Sequence, residues 1–341
     1  MLIVSILPTV MLKHFLFSLV LCHFTSAATA PHAHQDAISK HQRISPPNYT
    51  VDVLYQFPYD ERPENIAQRT NGNLLVTLSD RSELYEINPQ KPGSIQLVHN
   101  FTGASFLTGI VEFENNRFAV AVNGNSVWEV NLNSNLTATA SLMVEIPNAG
   151  FLNGIARLGH RSSFVVVADS SKGLVWRVDM HSGNYSVALQ DDTMAPEDVF
   201  GLALGINGIR LLDDYLYFSN TPKHLFCRVR IDLSTGLAKG PYEAVAREAL
   251  ADDFTLSPFG TAYLASSFEN TITEVLPNGQ HTALAGSLNS TTIPGPTSIL
   301  LDPSKSPVET FFITTNGAEL SPVNGTFSVG GQVLVLRRGH L

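Results

Sequence analysis

Short apolar runs alternate with polar turns along most of the chain, and no window keeps a helical period for three turns. One unit of this pattern recurs, a polar turn leading into a β-rich stretch that ends in a hydrophobic strand. Its copies begin at Glu64 (ENIAQRTNGNLLVT), Thr108 (TGIVEF), Asn153 (NGIARL), Asn207 (NGIRLL), Asp252 (DDFTLS) and Thr297 (TSILLD), with starts 44, 45, 54, 45 and 45 residues apart. A period of about 40–50 residues with several strands per copy predicts propeller blades. Six copies predict an all-β, six-bladed β-propeller. Asn71-Gly72 in blade one, and Ser257-Pro258-Phe259-Gly260 with Pro277-Asn278-Gly279 in blade five, supply hairpin chemistry between strands. Val51–Phe57 alternates like a strand ahead of the first copy. It is expected to complete the last blade and close the ring, removing free sheet edges. The longer spacing before Asn207 leaves Gln190–Leu204 for a short helix or a loop over one channel mouth.

The start of the chain changes the picture of where this fold matures. Lys13 and His14 precede the apolar stretch Phe15–Cys22, and small residues follow at Ser26-Ala27-Ala28-Thr29-Ala30, so residues 1–30 read as a secretory signal peptide. Residues 31–47 form a polar, His-containing tail, and residues 48–341 a single propeller domain. No membrane contact is expected after signal cleavage. Sequons at Asn48, Asn100, Asn135, Asn184, Asn289 and Asn324 agree with the secretory route and predict N-glycosylation and secretion. Cys22 leaves with the signal, so Cys227 cannot form an internal disulfide, and its strand setting (LFCRV) predicts a small buried hydrophobe. Net charge is −9, with no Lys/Arg run, which argues against nucleic acid as a partner.

Corresponding residues of each copy converge on the central channel. The first positions are Glu64, Thr108, Asn153, Asn207, Asp252 and Thr297. Two carboxylates and two amides make an all-oxygen set, suited to Ca²⁺ or Mg²⁺ rather than zinc or copper. The same residue types also cap strand ends, so a role in tying blades together stays open. No Gly-x-Ser-x-Gly elbow occurs, and the 11 histidines show no ligand spacing.

The segments ENIAQRTNGNLLVT, LNGIA, INGIRLL with LYFSNT, and DDFTLSPFGTAYLAS resemble the gluconolactonase/senescence-marker superfamily of six-bladed propellers across all six blades. That resemblance implies a divalent cation held by Glu64, Asn153, Asn207 and Asp252, and no organic cofactor. Asp252-Asp253 stands where the superfamily has Asp-Gly, which leaves open which Asp points inward. Within the superfamily, the signal, the sequons, the ENIA…NG.LLVT opening and the GPTS…TTNG ending resemble secreted fungal propellers of specialised-metabolite pathways. Some of these are hetero-Diels–Alderases that join a polyketide-derived quinone methide to a terpene alkene.

Three functions follow as expectations. The first is a pericyclase of this kind, using Phe151 and Phe254, with Trp128 and Tyr217, as apolar walls and Asn153, Asn207 or Thr297 as hydrogen-bond donors to substrate. Strand aromatics also pack between blades, the favoured reading for Trp128 and Tyr217 and an equal alternative for Phe151 and Phe254. The second is a metal-dependent lactonase, with Asp252 or Asp253 as general base and a lactone substrate. The third is a non-catalytic small-molecule-binding propeller.

Overall fold

The computed structural model describes residues 49–132, 138–159, 162–199, 201–304 and 309–339. The signal segment, the tail and the sequons at Asn48 and Asn135 lie outside the described residues. The described chain forms six four-stranded antiparallel sheets and one two-stranded ribbon. Each sheet is one blade, and its innermost strand begins at or within a residue or two of a motif start: Pro63–Gln68, Leu107–Glu114, Leu152–Arg157, Ile206–Leu212, Phe254–Leu256 and Pro296–Leu301. Five blades use consecutive strands. The sixth takes its outermost strand, Tyr49–Gln56, from the other end of the chain, paired antiparallel with Gln332–Arg338. The ring is therefore closed as its alternation predicts.

The core is a set of interfaces between blades. Six clusters of buried apolar residues each span one pair of neighbours, for example Val166, Val175, Ile209 and Phe218 between blades three and four. Leu54, Ile66, Val76 and Val335 pack between blades six and one. Burying one such side chain contributes about 1.5–3 kcal/mol, so the interface between blades six and one stabilises closure of the ring. Cys227 is fully buried in one cluster, and burial pushes its thiol up to about 12.

The described residues of Gln190–Leu204 carry no helix. Glu197–Val199 pairs with Leu202–Leu204 as a hairpin at the end of the channel where the inner strands begin. The turn residues behave as their chemistry requires: Gly72, Gly260 and Gly279 all have φ near +85°. Asn100, Asn184, Asn289 and Asn324 are at least partly exposed. No helix among the described residues is long and apolar enough to cross a membrane.

Candidate functional site at one mouth of the channel

A register irregularity recurs where the motifs begin. Pairing of the inner strand with its neighbour shifts between Pro63 and Ile66, Leu107 and Ile110, Leu152 and Ile155, Ile206 and Ile209, and Pro296 and Ser298. A bulge of this kind releases residues from the ladder and re-aims their side chains. It acts here on the first motif residue of five blades, and in four of them on the residue after it.

Those following residues are Asn65, Gly109, Gly154, Gly208, Asp253 and Ser298. The glycines allow close packing of successive blades. A Cβ on Gly109 would collide with the Asn153 carbonyl, one on Gly154 with the Asn207 carbonyl, and one on Gly208 with the Asp253 carboxylate. The other three positions hydrogen-bond to one another. Asp253 Oδ2 accepts from Asn65 Nδ2 at 2.8 Å, Ser298 Oγ at 3.0 Å and Arg210 Nη2 at 2.6 Å, while Oδ1 accepts the Phe254 N–H at 2.8 Å. Asp253 is thus a buried hub joining blades one, four, five and six.

Asp252 has a different task. Its Oδ1 accepts from Asn207 Nδ2 at 2.8 Å. Burial, then the neighbouring Asp253 charge, pushes its carboxyl up to about 7 against the pull of the Asn207 hydrogen bond. Glu64 also stands well above the usual carboxylate range, through burial and then the charges of Asp252 and Asp253. Both aspartates therefore act on Glu64, and Asp252 is the one that bonds Asn207.

The amide orientations are fixed by chemistry. The Thr221 hydroxyl donates to the Ala251 carbonyl at 2.7 Å, so it can only accept from Asn207, at 3.0 Å. Likewise Ser170 Oγ donates to the Ile206 carbonyl at 2.6 Å and accepts from Asn153 Nδ2 at 3.3 Å. Both N–H groups of Asn207 are consequently spent on protein, and one of the two on Asn153. Each amide keeps Oδ1 as an acceptor without a donor among the described residues.

This corrects part of the expected site. Asn207 has no N–H left for a substrate. Thr297 is buried, with its hydroxyl between the Pro63 carbonyl and Thr314 Oγ1, both at 2.9 Å, much as Thr108 donates to the Leu152 carbonyl. Phe254 is fully buried against Phe226, edge to face at 4.9 Å, in the core between blades four and five. Tyr217 belongs to the same cluster, and Trp128 packs on Phe101. Of the proposed aromatic walls, Phe151 is the one partly exposed beside the ring, stacked with Phe106 at 5.7 Å.

The far half of the channel is of mixed character, with Gln68, Glu112, Arg157, Arg210, Asp213 and Thr255 among its lining. A cavity of about 480 Å³ is walled there by Ile66, Val111, Ile155, Leu211 and Leu300, among others, and none of the six ring residues lines it. Arg210 lines this cavity and reaches back to Asp253, so their ion pair stands between the chamber and the ring.

The ring fits a hard cation by its donor chemistry: two carboxylates crowded enough to raise their proton affinity, and two amide oxygens left free. No cluster of three or more His, Cys, Asp or Glu with metal-holding geometry occurs among the described residues, so any such site depends on the amides. Sequence reasoning missed the Asp253 hub and its partners Asn65, Ser298 and Arg210. Reading the column one residue after each motif start, where three polar residues replace glycine, would have exposed it.

Fold and site together define a six-bladed propeller with a polar ring at one channel mouth. The chain is 25% identical to a protein of Phoma sp. provisionally named a hetero-Diels–Alderase, over 87% of this chain and 93% of that protein. It is 27% identical to a protein of Sarocladium schorii with the same provisional name, over 72% of this chain and 73% of the other. Among solved structures, the calcium-binding protein regucalcin from Agrobacterium tumefaciens matches with a TM-score of 0.62 at 16% identity, covering 86% of this chain and 96% of its own. A gluconolactonase of Xanthomonas campestris matches with a TM-score of 0.61 at 12% identity, covering 85% and 90%. No family profile matches the chain.

Proposed function

We propose that this propeller is a hetero-Diels–Alderase acting at the mouth that carries Glu64, Asn153, Asn207 and Asp252. The observation that carries this is the likeness to two proteins of that provisional name, which extends over most of the propeller rather than over one motif. In such a cycloaddition the conjugated C=C–C=O of a quinone methide and an alkene form one C–C and one C–O bond. No group leaves and no proton is transferred. The protein's work is to hold both partners in near-attack geometry, exclude water and place a donor at the carbonyl oxygen.

The ring supports that work because its side chains are already locked by protein partners. The donors left are the second N–H of Asn153 and, when protonated, a carboxyl O–H on Glu64 or Asp252, whose proton affinities burial raises. Glu64, Asn153, Asn207 and Asp252 would hold a Ca²⁺ or Mg²⁺ ion, which when bound would polarise a carbonyl oxygen. Maturation through the secretory pathway belongs to the same proposal, supported by accessible sequons at Asn100, Asn184, Asn289 and Asn324.

The test generates an o-quinone methide in situ with a humulene-type alkene, with and without purified protein. Faster adduct formation with one stereochemical outcome is expected; yield and stereochemistry equal to buffer would overturn the proposal. A metal-dependent lactonase is the second reading, favoured by the crowded carboxylates and the free amide oxygens. It requires aldonolactone opening that EDTA abolishes and calcium restores.

A further inference from the structure

A second periodic layer stands above the polar ring. Two residues before each motif start lie Arg62, Phe106, Phe151, Gly205, Leu250 and Gly295. The residue between is buried in every blade: Pro63, Leu107, Leu152, Ile206, Ala251 and Pro296. These positions precede the inner strands, which begin at Pro63, Leu107, Leu152 and Phe254, so Arg62, Phe106, Phe151 and Leu250 lie at the same mouth as the ring.

The two phenyl groups come from neighbouring blades and stack at 5.7 Å with an interplanar angle of 28°. Both stay partly exposed, yet both are held firmly. The fully buried Asp169 carboxylate accepts the N–H groups of Gly150 at 2.9 Å and Phe151 at 3.0 Å, and the Trp176 indole N–H at 3.0 Å. Asn123 accepts the Ser105 N–H at 2.7 Å through Oδ1, and its own backbone N–H donates to the Phe106 carbonyl at 3.1 Å. Gly124, at φ +71°, lies against the pair: a Cβ there would come within 3.2 Å of Phe151 Cδ2 and 3.5 Å of Phe106 Cζ. Blade one adds the Arg62 guanidinium, whose Nη1 is 3.5 Å from Glu319 Oε2 and whose Nε has no hydrogen-bond partner. Gly205 and Gly295, the equivalent residues of blades four and six, are buried and add no side chain to this layer: a Cβ there would collide with the Met194 carbonyl and with Asn316.

A buried carboxylate and an asparagine side chain thus fix two loops whose rings remain in contact with solvent. Packing alone gives no reason to hold them there, whereas face-on contact with a flat ligand does. We propose that Phe106 and Phe151 form an aromatic shelf that receives a planar, conjugated, oxygen-bearing ring, with the Arg62 guanidinium beside its oxygens. The inference rests on the small-molecule site described under Proposed function, and names the class of the conjugated partner that site takes.

The experiment is calorimetric titration of the full mature protein with two ketones of equal ring size, planar tropolone and saturated cycloheptanone. Tropolone is expected to bind more tightly. Phe106→Leu and Phe151→Leu, which keep apolar bulk but remove the ring face, should each weaken tropolone about 3- to 10-fold and leave cycloheptanone unchanged. Phe106→Tyr should retain tropolone affinity, and Arg62→Gln should weaken it. Equal affinity for the two ketones, or leucine variants that bind tropolone like wild type, would overturn the shelf. In cycloaddition assays Phe106→Leu should raise KM for the quinone methide but not for the alkene. Cycloaddition that proceeds while Phe106→Leu binds tropolone normally removes the shelf and keeps the enzyme. Tropolone binding that depends on Phe106, in a protein without cycloaddition activity, keeps the shelf and removes the pericyclase.

Discussion

Replacing Asp252 with asparagine tests the electrostatics of the ring. Asp252 is raised from 3.8 to about 7, chiefly by burial and then by Asp253. For an acid whose folded pKa lies above its unfolded value, the stabilising contribution is complete below the unfolded pKa. It is lost as pH rises through the folded one, here between about pH 4 and 7. At 1.36 kcal/mol for each pH unit, the rise corresponds to an upper limit of roughly 4 kcal/mol. Screening at a partly open mouth reduces this to about 2 kcal/mol. The substituted amide would still offer an oxygen to Asn207 Nδ2, so the variant removes the charge and keeps the 2.8 Å hydrogen bond. Asp252→Asn should therefore be more stable than wild type by about 2 kcal/mol at pH 8 in urea unfolding, and nearly equal to it at pH 4. Removing this charge should also bring Glu64 closer to an ordinary carboxylate, because Asp252 is one of the charges that raises it. A stability difference that is the same at pH 4 and pH 8 would refute the reasoning.

Three further outcomes follow from the same geometry. Asp253→Ala strands the Arg210 guanidinium and leaves Asn65 and Ser298 without an acceptor, and should lower stability by about 3–5 kcal/mol in urea unfolding; a loss below about 1 kcal/mol would contradict the hub. Gly208→Ala drives a Cβ into the Asp253 carboxylate and should cost about 1–3 kcal/mol. That cost should shrink in an Asp253→Ala background, measured as a double-mutant cycle. Millimolar calcium at pH 8 should raise the melting temperature of wild type by mass action, and the rise should vanish in the Glu64→Gln/Asp252→Asn double variant.

The fold was legible because each blade repeats its turn chemistry and its apolar run. The repeat also located the strand starts where these residues stand, and Asn207 there bonds Asp252 of the next blade. The failures also have physical causes visible in the columns. Phe254 adjoins the motif, but it occupies the position held by Ile66, Ile110, Ile155, Ile209 and Ile299, and all five of those are buried in the blade interfaces. Thr297 starts a motif as Glu64 does, yet its short hydroxyl reaches only the Pro63 carbonyl and Thr314, as Thr108 reaches only the carbonyl of Leu152. The Asp253 hub joins residues 188 positions apart, across a ring closure whose register no local pattern sets. Asn207 looked like a donor because the sequence shows an amide but not that Thr221 and Asp252 take both of its N–H groups.

Those commitments bear on where specificity lies in this channel. A ring whose amides, hydroxyls and one aspartate are already bound to protein has little freedom to adapt to different substrates. Its remaining capacity is narrow: two amide oxygens, one amide N–H, and a carboxyl pair that gathers either a proton or a cation. Glycines on blades two, three and four bring backbone close to the axis on one side, and the Asn65–Asp253–Ser298 network fixes the other. Regucalcin and gluconolactonase share this fold at 16% and 12% identity, so the fold alone does not select a reaction. On the function proposed above, selection falls to the layer that precedes the inner strands, whose side chains the ladder does not constrain. Arg62, Phe106, Phe151 and Leu250 are the residues of that layer with bulk or charge, and a flat conjugated ligand is the shape that two fixed, parallel-leaning phenyl rings can tell from a puckered sugar lactone.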